Sequence, residues 1–547
     1  NGSISLIYHS ITDTWVNTNA LPRKFIPGKP VKMEDSYLFV GGKTNEVPVL
    51  LMKSAVGNLR IADYIVMFLY FLVLAAIGVY FSRKQKSAKI FAVGGGNVAW
   101  WAAAMSMFAT GASAVSFMAF PSQVFRTNIV WFLPAIVFIP FYFISAYLLY
   151  PLLRQLNIVS TYEYLQQRFH PSLRMLASFQ CIAFQTFGRI SVVILLPALA
   201  ISAVTGMDVW ISVLLMGIVT TVYTTFGGFE AVVWTDVLQG MLMICGISMM
   251  IWFGISGMEG GFKQFIEVGQ QYEKFNFYVG GWDITIALSS FLILRQLSES
   301  FAMTADQPMI QRVFSTPLDK MRKFSAMFCF FAILISALVH FMGLSIFGYF
   351  NAKPEMLDPL MNNDEVVPLF VVQTLPAGIS GLIIAALFAA SMSSLSSSIN
   401  SVSTLIAEDF YCRFADDVSD RAKLLVMKSA SLFIGTFGTA TALFMATLDI
   451  QSMFKVWFEI IALIGGGFVG MYFLGMFTRR ANSAGVVIGA VFSVIFLALI
   501  KAYTPIHWSL YQFLAIFACV AVGYLTSLIL PSTERNLAGL TVFTLKK

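Results

Sequence analysis

Nine hydroxyl-bearing residues crowd the segment Ser391 to Thr404: Ser391, Ser393, Ser394, Ser396, Ser397, Ser398, Ser401, Ser403 and Thr404. No charged residue stands between Glu365 and Glu408 around them. At 100° per residue, Ser393, Ser394, Ser397, Ser401 and Thr404 fall within about 100° of one another, with Ala390 in the same arc. Neutral oxygens, joined by backbone carbonyls freed where a helix breaks, are ligands a small hard cation accepts. Na+ fits such a set without histidine or cysteine. The competing account is helix packing, because small hydroxyl residues let membrane helices approach closely and can bond a carbonyl one turn back. Nine such residues strain that account, since each unmatched hydroxyl costs roughly 1–3 kcal/mol.

Two charged residues sit in equally apolar surroundings. Asp236 lies in GGFEAVVWTDVLQG; a carboxylate at a membrane helix centre costs roughly 2.5–3.5 kcal/mol. It stands only a few residues past Gly227-Gly228, so a capping or interfacial role remains open beside a functional one. Arg189 lies mid-span in CIAFQTFGRISVVILL, too deep for its head group to snorkel to water. It requires either a structural carboxylate or an anionic ligand, and the residues leave both open.

The elements that hold these groups are membrane helices. The chain has 547 residues, 58% hydrophobic and 12% charged, with mean hydropathy +0.78; soluble domains carry about 25% charged residues. Thirteen apolar stretches approach the ~20 residues needed to span a bilayer: 61–81, 97–120, 129–150, 175–203, 209–226, 231–256, 283–303, 323–349, 376–406, 424–448, 453–477, 482–501 and 508–530. Lys and Arg cluster after alternate spans: Arg83, Lys84, Lys86 and Lys89; Arg154, Arg168 and Arg174; Arg312, Lys320, Arg322 and Lys323; Arg413, Arg421 and Lys423; Arg479 and Arg480; Lys546 and Lys547. That face is cytoplasmic, so the N-terminal extension is expected outside, in the periplasm, and the C-terminus (531–547) inside, in a multi-pass inner-membrane protein. The formal net charge of +7 follows from this bias and implies no nucleic-acid partner. Five scattered cysteines and four histidines have no metal-ligand spacing. Gly111 and small residues in ATGASAVSF interrupt the second span, as happens where backbone lines a cavity.

Residues 1–58 are different. ISLIYHSITDTWV reads as strand, turn at Ser10–Asp13, and strand; SYLFVGG reads as a further strand closing on a Gly pair. This segment resembles part of a kelch β-propeller blade, which implies further blades before Asn1; an ordinary extramembrane hairpin is the alternative. A chain starting at Asn1 rather than Met is expected to be a processed or truncated product.

GGFEAVVWTDVLQG, the serine helix ending NSVSTLIAEDFY, the loop STYEYLQQRF and the stretch Gly465–Asn482 together resemble the solute:sodium symporter family, most closely its bacterial sialic acid symporters. The resemblance covers residues 60 to 530. It implies an all-α membrane protein (59–530) with a LeuT-type core of five plus five helices in inverted repeat. It also implies a first sodium site from Ala109 and Ala112 on a broken helix with Ala390, Ser393 and Ser394. A second sodium site would use Asp236, Ser396 and Ser397. A substrate carboxylate would be held by Ser113 and Ser116, with Arg189 and the aromatic Trp131 lining the site. Two family positions depart: a threonine before the break is Gly111 here, and a glutamine in the next helix is Ala135.

The function expected is sodium-coupled import of a small organic solute, chiefly sialic acid (N-acetylneuraminate), with two Na+ per substrate by alternating access. Alternatives are another sugar, a monocarboxylate or an amino acid, or a transporter-like sensor; the tail after Pro531 is too short for a kinase. An upstream propeller could be a mutarotase, but these residues carry no enzyme chemistry. One Na+ with a carboxylate is electroneutral, so a tenfold gradient supplies about 1.4 kcal/mol. A second Na+ doubles that and adds about 2.3 kcal/mol per 100 mV.

Overall fold

The computed structural model describes residues 59–286, 288–357, 365–415, 417–447, 453–531 and 536–544, with Thr12 and five short strands before residue 54. Helices dominate: α1 (Ile61–Ser82), α2 (Trp100–Gly111), α3 (Ser116–Arg126), α4 (Ile129–Gln155), α5 (Pro171–Ser202) and α6 (Val209–Ser256). They continue as α7 (Ser289–Ala302), α8 (Gln307–Ser315), α9 (Leu318–Ala352), α10 (Ile379–Phe414) and α11 (Asp420–Met445). The last three are α12 (Met453–Phe477), α13 (Ser483–Tyr503) and α14 (Trp508–Ile529). Each of the thirteen expected stretches contains a helix here, although the one at 283–303 is helical only over Ser289–Ala302. Those at 209–226 and 231–256 form one helical run, divided at Gly228, whose φ of 58° and ψ of −158° a side chain would not readily adopt.

Local sequence explains many of the boundaries. Asp208, Ser419 and Asn482 cap α6, α11 and α13 by accepting from backbone amides, and Pro171 opens α5 behind the His170 cap. Gly206 ends the same helix in a left-handed conformation.

Among the described residues one span is broken, and a second interruption separates two shorter helices. The α2–α3 pair bends by 68° across Ala112–Val115, at the ATGASAVSF interruption. The second break separates α7 from α8 at 303–306 and lies beyond the expected end of its span at 303. Asp306-Gln307-Pro308 is its signature, with Pro308 in the first turn. Discontinuous helices at membrane depth are where transporters place their sites.

The serine helix α10 is the centre of the bundle. Its apolar window is 89% buried, against 28% for α1 and α13 at the rim, and it packs against α1, α2, α5, α6 and α11. Near one end of α10, Asp409 accepts from Arg174 (2.8 Å), Ser160 (2.7 Å) and Ser178. At the same end, residues 536–544 fold back onto the protein: the Tyr164 hydroxyl donates to the Leu540 carbonyl, and the Val542 amide to Met476.

In the N-terminal segment, β1 (Ser5–His9) pairs antiparallel with β2 (Thr14–Thr18), as the hairpin reading expects. β3 (Val31–Met33), β4 (Ser36–Val40) and β5 (Val49–Lys53) form a second antiparallel sheet. Of the expected turn only Thr12 is described, and the Gly41-Gly42 pair lies outside the described residues. The Thr12 carbonyl accepts from Asn351 at the end of α9.

Candidate functional site

Where α2 ends, two carbonyls turn towards α10. The Ser393 hydroxyl donates to Ala109 O at 2.9 Å and to Ala390 O at 3.2 Å, and Ser394 donates to Thr110 O at 2.9 Å. Ala112 sits at the break with φ −84° and ψ 85°. The result is a buried cluster made of oxygen alone, the donor set a hard monovalent cation needs.

Beside the break lies a cavity of about 190 Å3 lined by Ser113, Ser116, Arg189, Glu299 and Asp306 among others. A neighbouring cavity of about 140 Å3, lined by Trp131, Ala135, Arg295, Glu299 and His340, shares Gly111, Ser116, Phe120, Glu299 and Met303 with the first. A Cβ on Gly111 would have only Met309 Cε within 4 Å, at 3.3 Å. The two cavities adjoin along these five shared residues as neighbouring lobes.

Arg189 crosses the first lobe. It pairs with Asp306 at 3.0 Å and donates to Thr110 O at 2.9 Å, while its buried Nε has no partner among the described residues. Gln185 holds the other Asp306 oxygen at 3.0 Å and accepts from Ser398 at 2.8 Å. Of the alternatives left open for Arg189, the structure supplies the carboxylate, and it also leaves the guanidinium at the cavity wall.

Asp236 is fully buried against α2, α8 and α10. Its Oδ2 accepts from Ser106 at 2.6 Å and Thr110 at 3.4 Å, and pairs with Arg312 at 3.0 Å. Arg312 also donates to Ser397 at 2.5 Å and Ser106 at 3.0 Å. Asp236 Oδ1 is buried without a partner among the described residues. This is no helix cap. Thr110 ties the parts together: its hydroxyl meets Ser397 at 2.8 Å, and its carbonyl serves Ser394 and Arg189.

A family model described as the sodium:solute symporter family matches residues 91–493. The chain belongs to the sodium:solute symporter family. Among its relatives, the sodium/sialic acid symporter SiaT of Proteus mirabilis is 32% identical over 489 residues, covering 87% of this chain and 97% of that protein. The human sodium-coupled monocarboxylate transporter 2 is 31% identical, covering 79% and 70%. A substrate-bound, outward-open structure of a Na+-coupled sialic acid symporter superposes with a TM-score of 0.82 at 29% identity, covering 87% of this chain and 99% of that one. The nucleobase-cation symporter Mhp1, closed around bromovinylhydantoin, shares the fold at 14% identity, with a TM-score of 0.51 over 80% and 94%. The symporter is a transporter rather than an enzyme, its coupling ion is Na+, and its architecture is that of LeuT-type carriers.

The expected site residues fall in three places in the symporter. Ala109, Ala390, Ser393 and Ser394 come together where α2 ends, and Ala112 follows at the break. Ser113, Ser116 and Arg189 line the first lobe, whereas Trp131 stands in the second, stacked on Trp508 at 6.0 Å. Asp236 and Ser397 meet in one cluster, but Ser396 does not reach it: its hydroxyl donates to Ser393 O at 3.1 Å. Further along the helix, Ser398, Ser401, Ser403 and Thr404 bond carbonyls one turn back, as the packing account expects.

Sequence reasoning missed Arg312, Asp306, Thr110 and Glu299. Arg312 was counted with the cytoplasmic loop residues, yet it is 0% exposed. A buried carboxylate such as Asp236 demands a cation, and the fold supplies it from beyond the Asp306–Pro308 break, as Arg312.

Proposed function

We propose that the symporter imports sialic acid with two Na+ per molecule, across the inner membrane, with its N-terminus outside. What carries the reading is a cavity containing Ser113, Ser116 and Arg189 directly against a broken helix whose carbonyls meet Ser393 and Ser394. A monoanionic sugar acid suits it: serine hydroxyls and a guanidinium for the carboxylate, and carboxylates and amides for hydroxyl groups. The first Na+ is held by Ala109, Ala112, Ala390, Ser393 and Ser394. The second is held at Asp236, whose unpartnered Oδ1 supplies ligand positions that Arg312 leaves free, with Ser397 beside it; Ser396 would join only after rotating away from Ser393. The relatives named for sialic acid are alike over nearly their full length, which favours that substrate over a simple monocarboxylate.

Coupling follows from Thr110. Na+ drawing on the break fixes the carbonyl that also receives Arg189, so ion binding positions the cation at the substrate wall. Occupation of both ion sites and the cavity closes one geometry, and release to the dilute cytoplasm opens the other, which is alternating access.

Labelled N-acetylneuraminate should accumulate in proteoliposomes under an inward Na+ gradient and be competed by unlabelled sialic acid but not by lactate. Competition by lactate alone would move the assignment to monocarboxylates. Arg189→Ala should raise the half-saturating sialic acid concentration by about tenfold or more, the value of a charge-assisted contact, while moving that for Na+ by less than about threefold. Equal shifts would assign Arg189 a purely architectural part.

A further inference from the structure

We infer that the second lobe is a subsite for the hydroxyl-bearing side chain of the substrate, and that Glu299 is the residue that reads it. The inference rests on the sialic acid reading and specifies how that site chooses among sugar acids.

Size is the first argument. Neither lobe alone reaches the roughly 300–1,000 Å3 usual for small-molecule sites; joined, at about 190 and 140 Å3, they reach its lower end. A sugar acid anchored by its carboxylate at Ser113 and Ser116 has the second lobe within reach past Gly111 and Ser116, two of the residues that line both lobes. Glu299 stands at that junction and lines both lobes.

Its chemistry is the second argument. Glu299 Oε2 pairs with Arg295 at 3.1 Å, and the carboxylate side chain keeps 34% of its surface exposed while that of Arg295 keeps 4%. A carboxylate accepts at about four lone-pair positions, so one guanidinium leaves acceptors facing the cavity. Acceptors with no proton of their own select donors, and the glycerol chain of a sialic acid offers hydroxyls. A second substrate carboxylate would be repelled. Trp131, in the same lobe, offers an aromatic surface against which C–H groups of such a chain pack.

Cost is the third. An ion pair at membrane depth is retained at a price in desolvation and adds little net stability, and ionisable residues there mark substrate paths. On α7, Glu299 and the neighbouring Gln296 are the side-chain acceptors that line this lobe.

The test compares uptake inhibition by N-acetylneuraminate with inhibition by its analogue lacking the two terminal carbons of the glycerol chain. The parent protein should favour the full-length compound by about tenfold, the value of a hydrogen bond to a charged group. Glu299→Gln should reduce that preference to about threefold or less, Glu299→Asp should fall between, and half-saturating Na+ should stay within about twofold. A parent protein that does not distinguish the two compounds, or variants that weaken both by the same factor, would overturn the subsite and leave the sialic acid reading intact. If Glu299→Gln does not fold, Glu299→Asp decides by the same ratio. Failure of the parent protein to take up any sialic acid would overturn the substrate reading itself, and this inference with it.

Discussion

Replacing Arg312 by Met should cost about 3–5 kcal/mol of stability, the penalty for stranding one partner of a buried ion pair. Both side chains of the Asp236–Arg312 pair are fully buried, and Arg312 also meets Ser106, Ser397 and the Pro308 carbonyl. Without the guanidinium, the Asp236 carboxylate keeps only the hydroxyls of Ser106 and Thr110. The drop should show as a lowered thermal midpoint in detergent, and added Na+ should restore part of it, since the ion would then supply the missing positive charge. The double variant Asp236→Asn, Arg312→Met removes both charges and should recover most of the loss. In that background, and in Asp236→Ala alone, the sodium Hill coefficient should fall towards one while uptake remains measurable. An Arg312→Met protein as stable as its parent would show that the pair does not hold α6 to α8.

Removing the Ser393 and Ser394 hydroxyls together should raise the half-saturating Na+ concentration by about 10- to 100-fold. Each hydroxyl stands for roughly 1–1.5 kcal/mol of net interaction at least, and 1.4 kcal/mol is a factor of ten. The loss is compounded because the Ala109 and Thr110 carbonyls they serve are left without those donors. Substrate half-saturation measured at saturating Na+ should change far less. A Na+ titration of uptake separates the two; an unchanged midpoint in the Ser393→Ala, Ser394→Ala variant would place the first ion elsewhere. Ser398→Ala and Ser401→Ala are the contrasting substitutions. Their hydroxyls bond carbonyls of their own helix at 2.9 and 2.6 Å, so they should leave the Na+ midpoint nearly in place.

What could be read from residue order was whatever depends on local spacing. Hydropathy over about twenty residues located the spans, and the serine period placed Ser393 and Ser394 on the face that meets α2. The small-residue run ATGASAVSF marked the break, because backbone freed from helix is tolerated only beside a cavity or protein. What escaped was contact between distant segments. Arg312 lies 76 positions from Asp236, and Asp306 lies 117 from Arg189. Both sit at a second break that apolar length alone did not mark, so Arg312 read as a loop cation. Ser396 misled for a different reason: one residue on a helix is 100° of rotation, and that turns its hydroxyl to the Ser393 carbonyl while Ser397 reaches Arg312. Trp131 lines the second lobe and not the first, a distinction that depends on the folded shape and so has no signature in residue order.

The proposed stoichiometry of two Na+ per sialic acid would make the cycle electrogenic. Currents on solid-supported membranes, recorded as N-acetylneuraminate is added in the presence of Na+, should show net positive charge entering with substrate. Uptake into proteoliposomes should likewise rise when the interior is made negative, by the roughly 2.3 kcal/mol per 100 mV that one extra charge contributes. Loss of that current in Asp236→Ala, with Na+-driven uptake retained, would tie the extra charge to the second site. Sodium-dependent uptake in the parent protein that moves no charge and ignores the membrane potential would contradict it.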